Sequence, residues 1–265
     1  MTIVFAVANQ KGGVGKTTTS VNLAASLGLM NREVLLIDLD PQGNATMGSG
    51  MEKKELPHSI YDVLIGEKSA EESLVKAEAA GYDVLGANSD LIGAEIELLD
   101  LDRREYRLKD ALFGFGSKYD FIVLDCPPAL GVLTLNGLVA SDSVIIPMQC
   151  EYYALEGLTA LLDTIDRISS SLNPKLKVEG LLRTMYDPRN SLSRDVSLHL
   201  IDHFGDAVYR TIVPKNVRLA EAPSYGVPVH FYDKYSRGSK AYLALAGEVL
   251  NRHPEAANKG GENGD

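Results

Sequence analysis

The sequence predicts an α/β protein built on a doubly wound, mostly parallel sheet with helices on both faces. Short apolar runs rich in β-branched residues recur along the chain, and helix-length segments separate them. The first two runs enclose a glycine-rich turn and a helix within about 40 residues, which is a βαβ unit. The runs are continuous rather than alternating, as expected of parallel strands covered on both faces.

Residues 3–8 form the first run, closed by Asn9-Gln10-Lys11-Gly12-Gly13, and read as a buried strand feeding a glycine loop. From Thr17 onward Val21, Leu23, Ala24, Leu27 and Gly28 mark a helical stripe, and residues 34–38 return to strand. Further strands are expected at 82–85, 121–125, 144–147, 178–182 and, briefly, 211–213. Helices are expected over 91–112, 154–172, 192–204 and 239–250, whereas 43–57 carries no assignable pattern. Residues 52–110 hold 15 acidic and 8 basic side chains and read as a solvated outer face of helices. With no repeat or linker, the chain reads as one domain over 1–254 and a small, polar, frayed tail over 255–265.

Composition narrows the classes. Hydrophobic residues make up 45% and charged residues 23%, which excludes wholesale disorder and a collagen-like or membrane-embedded chain. No apolar run approaches the roughly 20 residues of a spanning helix, and the N-terminus lacks a signal-peptide layout, so a cytoplasmic protein is expected. Cys126 and Cys150 are too few for a disulfide framework, lack metal-ligand spacing and are read as buried thiols. The net charge of -10 argues against coating nucleic acid with the whole surface. Residues 1–182 carry 15 basic and 26 acidic side chains, but residues 183–218 carry 6 and 4, so any polyanion contact belongs late in the chain.

The strongest motif is Lys11-Gly12-Gly13-Val14-Gly15-Lys16-Thr17-Thr18, where a strand ends and a helix begins. Glycines let successive backbone N–H groups turn toward phosphate oxygens, the helix N-terminus adds positive potential, Lys16 reaches the β and γ phosphates, and the Thr17 hydroxyl suits Mg²⁺. This makes the fold a P-loop NTPase type. The usual first glycine is replaced by Gln10, and a second lysine, Lys11, stands too early to duplicate Lys16. Lys11 is either an outward cation aimed at a nucleotide held by a second subunit, acting as an arginine finger does, or a solvated loop lysine. Two further carboxylate sites close apolar strands: Asp38 and Asp40 in one, Asp125 in the other. Ligands in open α/β sheets lie beyond those strand ends. Asp125 reads as the Walker B acid and Asp40 as positioning the attacking water or the Mg²⁺ shell, while for Asp38 helix capping is at least as good a reading.

The Lys11-to-Thr18 loop resembles the deviant Walker A motif of the ParA/Soj chromosome and plasmid partitioning ATPases, relatives of MinD and the nitrogenase iron protein. Asp38-Leu39-Asp40-Pro41-Gln42-Gly43-Asn44-Ala45-Thr46, Asp125-Cys126-Pro127-Pro128, Glu156-Gly157-Leu158 and the segment from Val213 to Ser224 are similar to that family as well. The resemblance implies a switch using ATP and Mg²⁺, hydrolysed slowly to ADP and phosphate. ATP joins two subunits, the homodimer binds double-stranded DNA without sequence preference, and a ParB-type partner stimulates hydrolysis and release. It implies catalytic roles for Lys11, Lys16 and Asp40, nucleotide contacts from the loop residues 11–18 and from Pro214, Asn216 and Glu221, Mg²⁺ held by Thr17, Asp40 and Asp125 partly through water, close subunit approach at Gly12, and DNA contacts from Arg189, Lys215 and Arg218. It also implies a nucleoid-associated protein with no membrane partner.

Three alternatives differ in what they require. A MinD-like positioning ATPase expects a basic amphipathic C-terminal helix, where this chain is acidic and glycine-containing. An iron-protein-like reductase expects interfacial cysteine ligands. A metabolic ligase or kinase would use the 183–218 region as an acceptor pocket.

Overall fold

The computed structural model describes residues 2–152 and 154–257. Its strands are β1 (Ile3–Val7), β2 (Val34–Asp38), β3 (Leu74–Ala77), β4 (Tyr82–Leu85), β5 (Phe121–Asp125), β6 (Ser143–Gln149), β7 (Lys177–Tyr186) and β8 (Val208–Pro214). They form one eight-stranded sheet in the order β3-β4-β2-β5-β1-β6-β7-β8. Only β3 against β4 is antiparallel; the other pairings are parallel. The helices, in chain order, are α1 (Lys16–Leu29), α2 (Asn44–Gly48), α3 (Ile60–Ile65), α4 (Leu91–Glu97), α5 (Arg107–Leu112), α6 (Val132–Ala140), α7 (Ala154–Ser171), α8 (Ser191–Phe204), α9 (Val217–Glu221), α10 (Val229–Tyr232), α11 (Arg237–Arg252) and α12 (Pro254–Ala257).

Successive strand residues feed opposite faces, so the sheet separates two cores. Leu35, Ile37, Ile122 and Leu124 join Ile60 and Leu64 of α3, Leu133 and Leu138 of α6 and Leu161 and Ile165 of α7. Val34, Leu36, Phe121 and Val123 join Leu23 and Leu27 of α1 and Tyr242, Leu245 and Val249 of α11. This is the doubly wound architecture expected from the apolar runs. Strands β7 and β8 are longer than those runs because Arg183, Thr184 and Tyr209 are accommodated within the sheet, and β6 runs from Ser143 to Gln149.

The helix expected over 91–112 is broken. After α4 the chain makes a 3-10 turn at Leu98–Asp100 and Arg103 takes a left-handed φ of 55°. Asn136 of α6 fixes the corner, accepting from the Leu108 N–H and donating to the Arg104 carbonyl. The corner lets Leu91, Ala94 and Leu98 as well as Leu108 bury against the same sheet face. Three residues of the expected tail are helical, and Ala256 is wholly buried; residues 258–265 lie outside the described ones. Strand β3 and helices α2, α3 and α6 arise where no element was expected.

Candidate functional site

The central strand β1 delivers the glycine loop between the ends of its neighbours β5 and β6. Gly13 and Gly15 have φ of +74° and +88°, a backbone that side-chain-bearing residues resist, so the loop can curl before α1. Val14 is buried, and its carbonyl accepts from the Thr184 hydroxyl at 2.7 Å, tying the loop to β7. Lys16, the first residue of α1, folds back so that Nζ donates to the Lys11 carbonyl at 3.3 Å. Burial depresses the Lys16 pKa, and the charges of Asp125 and Asp40 oppose that shift. A cavity of about 300 Å³ is lined by Gly12, Gly13, Gly15, Lys16, Thr17 and Thr18 together with Asp40, Asn44, Pro128 and Met185.

In the sheet register Asp125 is the neighbour of both Val7 and Asp38. Its carboxylate is fully buried and accepts from the Thr17 hydroxyl at 2.7 Å and the Ser20 hydroxyl at 2.9 Å. Burial and the nearby Asp38 charge raise its pKa despite those bonds. Asp38 is also buried, and it accepts from the Thr46 N–H and hydroxyl at 2.8 Å and from the Asp40 N–H. It therefore anchors the start of α2, the capping role open to it in the sequence. Asp40 is half-buried, accepts from the Gln42 N–H and faces the glycine-loop cavity.

The donor set fits a hard cation. A threonine hydroxyl and a carboxylate meet beside the cavity, and Mg²⁺ characteristically takes one or two carboxylates and completes its shell with phosphate oxygens and water. Among the described residues no cluster of three or more His, Cys, Asp or Glu side chains could hold a metal by itself.

A second cavity, about 320 Å³, shares Gly15, Thr18 and Met185 with the first and is walled by Pro214, Asn216 and Leu219. Asn216 Oδ1 is enclosed with no hydrogen-bond partner. A buried acceptor left open is costly unless a ligand donor meets it. Glu221 lines neither cavity; it accepts from Arg218 at 2.8 Å and from the Tyr232 hydroxyl.

Lys11 lies outside the lining of both cavities, its ammonium on Glu151, and Gly12 is exposed beside it. Arg189 and Lys215 come together with Arg237 around an open cavity of about 400 Å³ that also includes Asp187. Arg189 is 88% exposed, and its guanidinium forks onto Asp187. Arg218 is elsewhere, held by Glu221 and Asp233. Arg183, counted in sequence among the late cations, is buried: it donates to Ser197 and to the carbonyls of Tyr209 and Arg210. Cys126 and Cys150 are buried free thiols whose pKa values burial raises.

Sequence reasoning missed Ser20, Thr184, Met185 and Arg237. Ser20 was discoverable, because it follows Thr17 by three positions and a helix places both on one face. The others are brought in by distant strands and turns.

A family model described as an AAA domain matches residues 2–178. The chromosome partitioning protein ParA of Caulobacter vibrioides is 51% identical over 251 residues, covering 94% of each chain. The sporulation initiation inhibitor protein Soj of Bacillus subtilis is 51% identical over 246 residues, covering 93% of this chain and 97% of its own. The chain belongs to the ParA/Soj family of P-loop ATPases. A solved Mycobacterium smegmatis structure described as cobyrinic acid a,c-diamide synthase, with bound ADP and magnesium, is 42% identical, superposes with a TM-score of 0.84 and covers 98% of each chain. The Lys11-to-Thr18 loop and the motifs around Asp38 and Asp125 lie at the strand ends that build the glycine-loop site, whereas Glu156-Gly157-Leu158 lies within α7.

Proposed function

We propose that this ParA/Soj ATPase is an ATP-controlled DNA-binding switch for chromosome or plasmid segregation, working in the cytoplasm on the nucleoid. The supporting observation is the division of labour between two lysines of one loop. Lys16 is enclosed at the phosphate cavity, and Lys11 is held outside the cavity lining. A cation so placed suits the nucleotide of a facing subunit, and its charge would then stabilise phosphoryl transfer.

In this reading the N–H groups of residues 12–18 and the Lys16 ammonium bind the ATP phosphates. Thr17 and Asp125 hold Mg²⁺, with Asp40 at its water shell. The bound ion supplies charge neutralisation on the phosphates. Asp40 orients the attacking water. The apolar second cavity takes adenine, where Asn216 Oδ1 accepts from the base's amino group and disfavours guanine, which presents a carbonyl oxygen there. Dimerisation doubles the surface formed by Arg189, Lys215 and Arg237, and this makes DNA affinity depend on ATP. A ParB-type partner accelerates hydrolysis and so ends the bound state. The relatives named ParA and Soj support this reading.

The name borne by the M. smegmatis structure supports a second reading, an ATP-dependent amide-forming ligase. One experiment separates them: light scattering and DNA binding with ADP, ATP and a nonhydrolysable analogue, at two salt concentrations. The switch requires a doubled mass and salt-sensitive DNA binding only with the triphosphates. Equal mass in both nucleotide states, with turnover dependent on a carboxylic acid and an amine donor, establishes the ligase instead.

A further inference from the structure

At the edge strand β8, helices α8 and α11 border a cavity of about 800 Å³ that shares no wall residue with the two cavities at the glycine loop. A space of that size suits a small organic ligand. Its wall carries Arg183, Arg210 and Arg252 against Asp206 and Glu248, one positive charge in excess. The Glu248 carboxylate is already committed. It accepts from the N–H groups of Arg210 and Thr211 at 2.8 and 3.0 Å and lies 3.6 Å from Arg252. Arg210 is exposed and enters no ion pair among the described residues.

Arg183 is the unusual member of this wall. It is 4% exposed, and its bonds go to the Ser197 hydroxyl and the carbonyls of Tyr209 and Arg210, all neutral acceptors. No carboxylate pairs with it among the described residues, and its Nε is enclosed without a partner, as is the hydroxyl of the neighbouring Tyr209. A charge taken out of water is ordinarily met by an opposite one, because neutral dipoles replace hydration only in part. Gly247 points to the same space. It lies inside α11, where glycine is a poor helix former, yet a Cβ built on it would meet no atom of the chain within 4 Å. Nothing in the protein requires glycine there, and its missing side chain leaves the cavity wall open.

β8 ends the sheet, but an extended peptide would find the local ladder groups taken. Glu248 holds the N–H groups of Arg210 and Thr211, and Arg183 holds the carbonyls of Tyr209 and Arg210. A guanidinium as enclosed as that of Arg183 is within reach of a small anion and not of a duplex backbone.

We propose that this cavity binds a small organic anion that pairs with Arg183 and Arg210. Guanidinium forks match the oxygens of phosphate and carboxylate alike, so the recognised chemistry is an oxyanion, carried by a phosphate monoester or a polycarboxylate. The site is separate from the nucleotide cavities and stands independently of the function proposed above.

The test fills the glycine loop of the full chain with Mg-ADP. The loaded protein is titrated calorimetrically with glycerol 3-phosphate, citrate and, as the neutral control, glycerol, at constant ionic strength and constant free Mg²⁺. At least one of the two anions is expected to bind with a Kd of about 1 mM or tighter, and glycerol is not; the tighter anion identifies the headgroup. Gly247→Leu fills the cavity from a position where a side chain meets no neighbour, and Arg210→Glu reverses one wall charge. Each should weaken the anion at least about tenfold, the loss of one charge-assisted contact, while fluorescent-nucleotide affinity stays at the wild-type value. Absence of binding by both anions up to about 10 mM, equal binding of glycerol, or undiminished anion affinity in either variant overturns the proposal. So does weakened DNA binding in both variants without a response to either anion, since the occupant is then a DNA phosphate.

Discussion

Individual residues here have consequences set by burial. Lys16 is 7% exposed and its ammonium sits in the field of the buried Asp125 and the half-buried Asp40. Lys16→Ala should lower nucleotide affinity at least about 100-fold by fluorescent-nucleotide titration, since the loop loses its phosphate charge partner; unchanged affinity would place the phosphates elsewhere. Away from that site, His253 Nε2 meets Glu179 Oε1 at 3.0 Å. Burial works against charge on both, but their mutual bond, with help from Ser143 and Arg252 at Glu179, raises His253 above 6.5 and lowers Glu179 below 4.5. The His253 contribution is fully present below 6.5 and lost as pH rises through its folded value. The Glu179 contribution is present above 4.5 and lost as pH falls through its folded value. Denaturant melts across pH should therefore show the pair contributing most between those limits. His253→Ala should cost about 3 kcal/mol there and less at alkaline pH; a pH-independent loss would contradict the charged pair.

At the scale of elements, close approaches join segments that the sequence leaves unassigned. Gly50, just after α2, has φ +89°, and a Cβ there would lie 2.8 Å from the Gly226 carbonyl oxygen. This contact pins α2 to the turn at Ala222–Tyr225, and both border Thr17 and Thr18. Gly50→Ala is expected to destabilise by about 2 kcal/mol through strain and steric overlap, which for a chain of this size lowers Tm by roughly 4–8 °C. Calorimetry showing no change would mean that the two segments move apart freely. The break between α4 and α5 belongs to the same scale. The apolar period runs on through 91–112, and the corner that interrupts it is held by the Asn136 side chain, from a helix 24 or more residues later.

Over the whole molecule the acidic and basic surfaces are segregated. Residues 77–102 are wholly acidic in their charges, whereas Arg189, Lys215 and Arg237 converge from the segments after β7 and β8 and from the start of α11. If ATP pairs two such subunits on DNA, Arg237→Glu should reduce the slope of log affinity against log salt by about 2, one phosphate contact per subunit at roughly 0.9 each. An unaltered slope in the triphosphate state would exclude Arg237 from the DNA face.

The doubly wound class, the loop at the end of β1 and the acids at the ends of β2 and β5 were legible along the chain, because these depend on local apolar runs and on consecutive residues. Strand β3, with its exposed lysine and mixed burial, left no such run. Only the tertiary structure decided that Asp38 anchors α2 while Asp125 binds Thr17 and Ser20, that Arg183 is buried, that Glu221 holds Arg218 rather than lining a cavity, and that Arg237 joins Arg189. Each of these depends on which distant groups share a desolvated space. A buried charge takes its role from the partner that folding brings to it, and the spacing of residues along the chain does not encode that partner.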